Sequence, residues 1–179
     1  YEDLASPEMA DRICTRSGKH IYNISLLASI IAAKGRQEAL NWARGLKAAL
    51  ARRPQGNDRS QVKAVFEGIC DFALGNTYYM GKMATNEKEP EQKQWANSVN
   101  IIFPNQKGRG AHVNISGAGV TKNAKNKANA VKLIEYLSSD AAQKLYAMGN
   151  FEYPVRANIP LHPLVAGWGQ FKADTVFLA

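Results

Sequence analysis

The sequence is poor in cysteine, has no long apolar run and carries few acidic residues. Each of these shortages excludes some classes of protein or of binding site. Only 2 of its 179 residues are cysteines, Cys14 and Cys70, too few for a disulfide scaffold and without the spacing of a metal site. No apolar run approaches the ~20 residues that a membrane-spanning helix needs, so no membrane insertion is expected. No basic and apolar leader opens the chain at Tyr1, and we expect a processed product or a fragment.

Acidic residues are outnumbered, with 15 Asp and Glu against 23 Lys and Arg and a formal charge of +8. A surplus of this size permits contact with nucleic acid or an anionic surface. The basic residues are dispersed, however, and Arg52 and Arg53 fall at the end of a predicted helix, where cations complement the helix dipole. The chain also lacks the interleaved basic and aromatic residues that single-strand binders use. We therefore predict no nucleic-acid partner.

Sequence motifs of common enzyme classes are missing too. The chain has no Gly-x-Ser-x-Gly elbow, no Gly-rich phosphate loop ending in Lys and Ser or Thr, and no His-Glu-x-x-His helix. A Cys14 nucleophile with His20 as its base is the alternative, but both cysteines lie in apolar runs that predict buried strands. We predict that the protein is not an enzyme.

The hydrophobic pattern that is present predicts an α/β fold. Short apolar runs at 12–15, 70–74 and 99–103 predict strands, and helical periodicity separates them. Strands alternating with helices indicate a mostly parallel, doubly wound sheet. The last predicted helix turns Ala142, Leu145 and Tyr146 inward. Helices are predicted over 21–35 and 37–52, after a cap at Asn57, after Tyr79, after Asn126 and after Ser139.

Two equal spacings in the sequence predict that tyrosines lie together at one edge of this sheet. Cys14 precedes Tyr22 by eight residues, and Cys70 precedes Tyr78 by eight. Ligands of doubly wound sheets bind beyond the carboxyl ends of the strands. If the two strands are neighbours, the cysteines lie opposite each other and the tyrosines, with Tyr79, emerge on the same rim. The cysteines themselves are either two buried thiols or one bridge, and a bridge would indicate an oxidising compartment.

Converging phenols favour a metal ion. A free tyrosine has a pKa of about 10, and a small, highly charged cation lowers it because the cation stabilises the phenolate. Phenolate oxygen is a hard donor, so ferric iron fits better than zinc or copper. The alternative is ordinary packing, in which paired tyrosines bury their rings and hydrogen-bond their tips.

Three longer motifs carry a resemblance to a known family: "RICTRSGKHIYNISLLASII", "GNTYYMGKM" and "IIFPNQKGRGAHVNISGAGVTK". They resemble bacterial periplasmic ferric-iron-binding proteins, the substrate-binding components of iron ABC transporters, which have a type II periplasmic-binding fold. The resemblance implies Fe3+ as the bound ion, with Tyr78 and Tyr79 as ligands and Tyr22 as the third phenolate. It also implies a periplasmic location, delivery to an ABC transporter permease, and a Cys14–Cys70 disulfide.

The family chains are about twice as long, and the stretch that builds most of their N-terminal lobe has no counterpart here. By the resemblance, residues 1–109 are the C-terminal lobe with the iron-ligand loops, 110–153 pack on the N-terminal lobe, and 154–179 return as a tail. Without that lobe, apolar faces around Leu133 and Leu145 lose their cover. We therefore expect a partner, either a missing N-terminal lobe or a second copy of the chain.

Some family members bind carbonate or another synergistic anion beside the iron. The resemblance places such an anion on Arg16 and Ser17, in a loop that leads to a helix N-terminus. Asp58 lies where another anion contact would fall, and its charge argues against that contact. Two alternatives stay open: a solute-binding protein for another small anion or metal chelate, or a structural fragment that no longer loads iron.

Overall fold

A computed structural model describes residues 1–176. It begins with two short 3-10 helices, Glu2–Ala5 and Pro7–Met9. Two strands and eight α-helices follow within the described residues. They are β1 (Ile13–Cys14), α1 (Ile21–Lys34), α2 (Arg36–Ala48), α3 (Asp58–Phe66), β2 (Phe72–Ala73), α4 (Tyr78–Ala84), α5 (Glu91–Asn97), α6 (Lys127–Leu137), α7 (Asp140–Asn150) and α8 (Pro163–Ala166).

The two strands pair in parallel, with Ile13 opposite Phe72 and Cys14 opposite Ala73. A parallel bridge from Ile13 to Leu50 extends the pairing on the other side of β1. This confirms the predicted α/β class and the neighbouring strands. The expectation that the cysteines lie opposite each other is wrong, because Cys70 precedes β2 and the register places Ala73 beside Cys14. The predicted disulfide nevertheless forms, with the two Cα atoms 6.0 Å apart, a separation typical of disulfides.

The predicted helix ends are confirmed where a capping residue was recognised. α1 stops at Gly35, whose φ of 84° favours glycine because it lies in the left-handed region. α3 starts after Asn57, whose side chain accepts a hydrogen bond from the Ser60 backbone N–H at 3.2 Å. Ser139 caps α7 in the same way.

The strand predicted over 99–103 is absent. No residue in this segment makes a backbone–backbone hydrogen bond within residues 1–176, and a strand exists only when a neighbour supplies its ladder. Burial still alternates along the segment: Val99, Ile101 and Phe103 are half-buried, while Asn100 and Ile102 are exposed. The segment therefore has the pattern of a strand without its pairing.

The expected inward face of α7 is partly wrong. Ala142 is buried, but Leu145 and Tyr146 are exposed. Gln143 and Ala147 are buried instead. With 100° per residue, Leu145 lies about 160° around the helix from Gln143 and therefore faces solvent.

The chain divides into two compact units, which are described separately. Unit 1 contains residues 1–114 and the chain from Gln170 onward, and unit 2 contains residues 115–169. The lobes 1–109, 110–153 and 154–179 stay predictions, and the last three residues of that predicted tail lie outside the described residues. Within residues 1–176, no helix is both long and apolar enough to span a membrane.

The core of unit 1 consists of three apolar clusters that position its loops. Leu26, Ile30 and Trp42 join α1 to α2. The disulfide packs with Ala64 of α3. Val62, Met83 and Ala96 join α3, α4 and α5. Because both α1 and α4 are anchored in this way, their first turns are held at the end of the short sheet.

Candidate metal centre

Three tyrosines meet at the starts of two helices. Tyr22 is the second residue of α1, and Tyr78 and Tyr79 are the first two residues of α4. These helices follow β1 and β2, so parallel pairing brings both starts to the same sheet edge. The hydroxyls of Tyr22 and Tyr78 are 3.0 Å apart. The rings of Tyr78 and Tyr79 stack with centroids 4.3 Å apart. A first helical turn thus directs adjacent phenols to one place.

Local hydrogen bonds fix the loop that carries Tyr22. The Asn23 side-chain amide donates to Thr15 Oγ1 at 3.1 Å and to the Arg16 carbonyl at 2.9 Å. His20 caps α1, since its Nδ1 accepts a hydrogen bond from the Tyr22 backbone N–H at 3.3 Å. The His20 ring also contacts the Tyr22 ring edge-on at 4.4 Å. The motif "GKHIYN" is therefore a positioning loop, in which the residues on both sides of Tyr22 orient it.

Each of the three rings has a cation over it. The Arg16 guanidinium lies 5.1 Å from the Tyr22 ring centroid, and Arg59 lies 5.3 Å from Tyr79. Lys82 Nζ lies 5.1 Å from the Tyr78 centroid. Cations within about 6 Å of an aromatic face are attracted to its electrons. Three cations therefore lie beside the three phenol rings.

One buried carboxylate, that of Asp58, links the two loops that carry the tyrosines. Asp58, only 1% exposed, accepts from Arg16 Nη1 at 2.7 Å with one oxygen. Its other oxygen accepts from the Asn76 backbone N–H at 2.9 Å. Asp58 thereby connects the loop after β1 with the loop after β2, and it holds Arg16 in place beside Tyr22.

The surroundings of Tyr78 favour its protonated form. Burial raises the pKa of Tyr78 well above its ordinary value, and hydrogen bonds with Tyr22 and Tyr79 raise it further. Burial lowers the pKa of Arg16, but the hydrogen bond and charge of Asp58, followed by those of Tyr79, outweigh it and raise that pKa. A metal ion that binds the Tyr78 oxygen must therefore displace its proton.

The two predicted anion-binding residues lie in different surroundings. Arg16 lines a cleft of about 80 Å3 together with Tyr22, Asn76 and other residues. Ser17 is exposed, and its hydroxyl accepts a hydrogen bond from the Lys19 backbone N–H at 3.2 Å. Arg16 therefore lies beside the phenols, whereas Ser17 does not line the cleft.

Several residues of the site were not predicted from the sequence. Lys82 follows Tyr78 by four residues on one helix, a spacing that places two side chains together and was available as a signal. The resemblance drew attention to Asp58 only as a charge that argues against an anion contact, and its bond with Arg16 depends on the fold. Arg59 offered only a helix-start pattern, because its contact also depends on the fold. His112 also lines the cleft, and its Nε2 lies 2.9 Å from Ser25 Oγ. Burial and then the charge of Arg109 lower the pKa of His112.

Known proteins resemble this chain in sequence and in fold. Iron uptake protein A1 of Synechocystis is 49% identical over 178 residues, which cover 99% of this chain and 49% of that protein. The ferric binding protein of Campylobacter jejuni superimposes with a TM-score of 0.95 at 43% identity over 98% of this chain and 55% of that chain. A Trichodesmium protein solved in complex with iron and citrate gives a TM-score of 0.91 at 48% identity, over 97% of this chain and 55% of that one.

The chain thus spans about half the length of the curated relatives it matches. The solved relatives are ferric-binding proteins of the type II periplasmic-binding fold, which confirms the predicted fold. Residues 1–167 match the family described as bacterial extracellular solute-binding protein, and the chain belongs to that family.

Proposed function

We propose that this chain supplies phenolate ligands for ferric iron, from Tyr22, Tyr78 and Tyr79, in a periplasmic iron-uptake protein. The observation that carries this proposal is the 3.0 Å approach of the Tyr22 and Tyr78 hydroxyls, which come from separate loops, with Tyr79 stacked on Tyr78. Packing alone does not require phenol tips from two loops to meet. A shared ligand does require it.

The donor chemistry selects a hard ion. Three phenolates are three hard, anionic oxygens, and they offset the charge of a trivalent ion. Fe3+ is the cargo that fits this set, and the protein captures and releases it without turnover. The similarity to iron uptake protein A1 and to a protein solved with iron and citrate supports the same ion.

An anion completes the site in this proposal. The Nε–H groups of Arg16 and Arg59 are buried and have no hydrogen-bond partner among the described residues. Each guanidinium therefore retains a donor that a carbonate or carboxylate oxygen accepts. Arg16 is the stronger candidate because Asp58 orients it; Ser17 stays a prediction without support from its contacts.

Transport requires parts beyond this chain. We infer that the remaining half of a full-length relative builds the N-terminal lobe, which supplies further ligands and closes over the iron by a hinge motion. The loaded protein then delivers iron to an ABC transporter permease. The disulfide fits an oxidising periplasm.

A second candidate function follows from the three cations over the rings. A small anion or a metal chelate other than ferric citrate would also be attracted to this positive corner. Such a ligand would bind without deprotonating the tyrosines. It would therefore leave the visible spectrum unchanged.

A ferric citrate titration followed by visible absorption tests the proposal. Phenolate bound to ferric iron gives a charge-transfer band, which we expect for the chain and expect to lose in Tyr78→Phe and Tyr79→Phe. Tyr22→Phe should weaken the band, and Tyr136→Phe, an exposed residue of α6, is the matched control. A colourless protein at saturating ferric citrate would contradict iron ligation, and a band that persists in all three site variants would place the iron elsewhere.

A further inference from the structure

The segment 111–114 borders the cleft beside Tyr22 and has no role in the proposed function. Residues two apart point to the same side of an extended backbone. The side chains of His112 and Asn114 both line the cleft of about 80 Å3, as do Tyr22 and Asn76. His112 is half-buried and Asn114 is exposed. Two polar side chains of one segment therefore face the loops that carry the phenols.

The backbone of this segment is fixed within unit 1. The N–H of the buried Ala111 donates to the Lys172 carbonyl, and the Ala111 carbonyl accepts from the Asp174 N–H, each at 2.8 Å. The N–H of His112 donates to the Tyr1 hydroxyl at 3.2 Å. A side chain on a backbone held in this way can keep a second element in place.

His112 contacts α1 close to Tyr22. Its Nε2 lies 2.9 Å from Ser25 Oγ, within hydrogen-bond distance. Ser25 follows Tyr22 by three residues, a spacing that makes two side chains neighbours on a helix surface. The next residue, Leu26, is buried in the cluster that joins α1 to α2. The contact at Ser25 therefore helps to set the position of the first turn of α1, which carries Tyr22.

Asn114 contacts the other tyrosine-bearing loop. Its side-chain amide donates to Asn76 Oδ1 at 3.0 Å, and Asn76 precedes Tyr78 by two residues. Burial and then the charge of Arg109 lower the pKa of His112, and a hydrogen bond with the Asn114 side chain partly offsets them. The two side chains are therefore connected to each other. Together they form a continuous path from α1 to the loop before α4.

We infer that the pair His112 and Asn114 positions the phenols of the proposed iron site, so that Tyr22 and Tyr78 reach one ion. Asp58 already joins the two loops at one point. A second connection fixes their direction as well as their separation. Replacing a side chain that orients a metal ligand typically weakens metal affinity by about 10–100-fold. The inference rests on the proposed function for its metal, whereas the positioning itself needs no iron.

Ferric affinity in variants of this chain tests the inference. His112→Phe replaces the imidazole with a ring that has no hydrogen-bonding atom, and we expect it to weaken Fe3+ binding about tenfold in a competition against citrate. We expect Asn114→Leu to weaken binding about threefold, because water can replace the bond of an exposed amide. Asn100→Leu, at an exposed position that does not line the cleft, is the control and should bind like the parent. Unchanged affinity in both cleft variants would overturn the inference.

Two further variants separate positioning from a general loss of stability. Ser25→Ala removes the same contact from the side of α1, so the double variant with His112→Phe should bind no more weakly than either single variant. In a Tyr22→Phe background, His112→Phe should lose most of its effect, because the phenolate that it positions is gone, whereas Asn114→Leu should keep its effect. Equal weakening by His112→Phe in both backgrounds would overturn the assigned route. If His112→Phe does not fold, Ser25→Ala takes its place in the same comparison.

Carbon-13 NMR of iron-free chains labelled at tyrosine Cζ keeps this test separate from that of the proposed function. We expect Ser25→Ala to shift the Tyr22 resonance. Asn114→Leu should shift the Tyr78 resonance, and the resonance of the exposed Tyr136 should stay unchanged in both variants. If the parent chain gives no iron band but these shifts occur, the proposed function fails and the positioning stands. If neither resonance moves, the positioning is overturned, whatever the iron result.

Discussion

The phenol corner of unit 1, which consists of Tyr22, Tyr78 and Tyr79 with the loops that carry them, differs from the helix pair α6–α7 of unit 2 in the source of its stabilising contacts. The corner is closed by a disulfide, a buried ion pair and cation–ring contacts, all within unit 1. The helix pair exposes large apolar side chains: Val131, Leu133, Tyr136, Leu145 and Tyr146. Its buried residues are Ala142, Gln143 and Ala147. Contacts within unit 1 hold the three tyrosines in place. Unit 2, in contrast, exposes a large apolar surface that its own residues do not cover.

Removing the disulfide should lower the stability of unit 1. The bridge joins residues 56 apart, and closing a loop of this length contributes about 4 kcal/mol. We expect the double substitution Cys14→Ala and Cys70→Ala to lower the free energy of unfolding of unit 1 by about that amount. Urea unfolding followed by hydrogen exchange in α3 measures it, with exchange in α7 as the internal control. A loss under about 1 kcal/mol would show that packing alone holds the corner.

Breaking the buried ion pair should have the next largest effect. Asp58→Asn leaves Arg16 without its charged partner, and removing one member of a buried pair costs about 3–5 kcal/mol. Because Arg16 remains 15% exposed, we expect the lower end of this range. Asp71→Asn is the control, since the Arg12–Asp71 pair is exposed and should contribute under about 1 kcal/mol. Equal losses in the two variants would refute the organising role of Asp58.

Substitutions on the exposed face of unit 2 should have small effects in this chain. Leu145 is 65% exposed and Leu133 is 56% exposed, so Leu145→Lys or Leu133→Lys should change the free energy of unfolding by under about 0.5 kcal/mol. Ala147→Leu on the same helix is the contrast, because overpacking a buried site costs about 1–3 kcal/mol. In a fusion with the missing half of a relative, the lysine variants should cost more. Equal cost in both contexts would show that this face stays open.

The smallest effect is expected from the alkaline titration of Tyr78 without iron. The pKa of Tyr78 is raised in the folded chain, so its stabilising contribution is fully present below the unfolded value of about 10 and is lost as the pH rises above it. Absorbance at alkaline pH should show delayed ionisation of Tyr78. That delay should shrink in Tyr22→Phe, which removes a hydrogen bond that raises the Tyr78 pKa. Ionisation of Tyr78 near the ordinary tyrosine value of about 10 would contradict the described environment.

Local signals predicted the parts of the fold that depend on nearby residues. Gly35, Asn57 and Ser139 marked helix ends because capping involves residues within one turn. The convergence of Tyr22 with Tyr78 followed from parallel neighbouring strands, which hydrophobic pattern and chain order indicate. These features need no knowledge of distant packing.

The sequence failed where an outcome depended on a distant partner. Residues 99–103 have strand periodicity, but the partner that would complete their ladder is absent from residues 1–176. The offset of Cys70 from Cys14 depends on register, which equal spacing does not determine. Arg59 reaches Tyr79 only because α3 packs against α4, and no spacing in the sequence reports that contact.

Counting protons released on iron binding tests the central claim most directly. If Tyr22, Tyr78 and Tyr79 all bind Fe3+ as phenolates, each gives up its phenol proton on binding, because a metal ligand must be deprotonated. In a weakly buffered titration with ferric citrate, each single Tyr→Phe variant should release one proton fewer than the parent chain, and Tyr136→Phe should release the same number. Equal proton release from the parent and all three site variants, at matched iron occupancy, would contradict the phenolate centre.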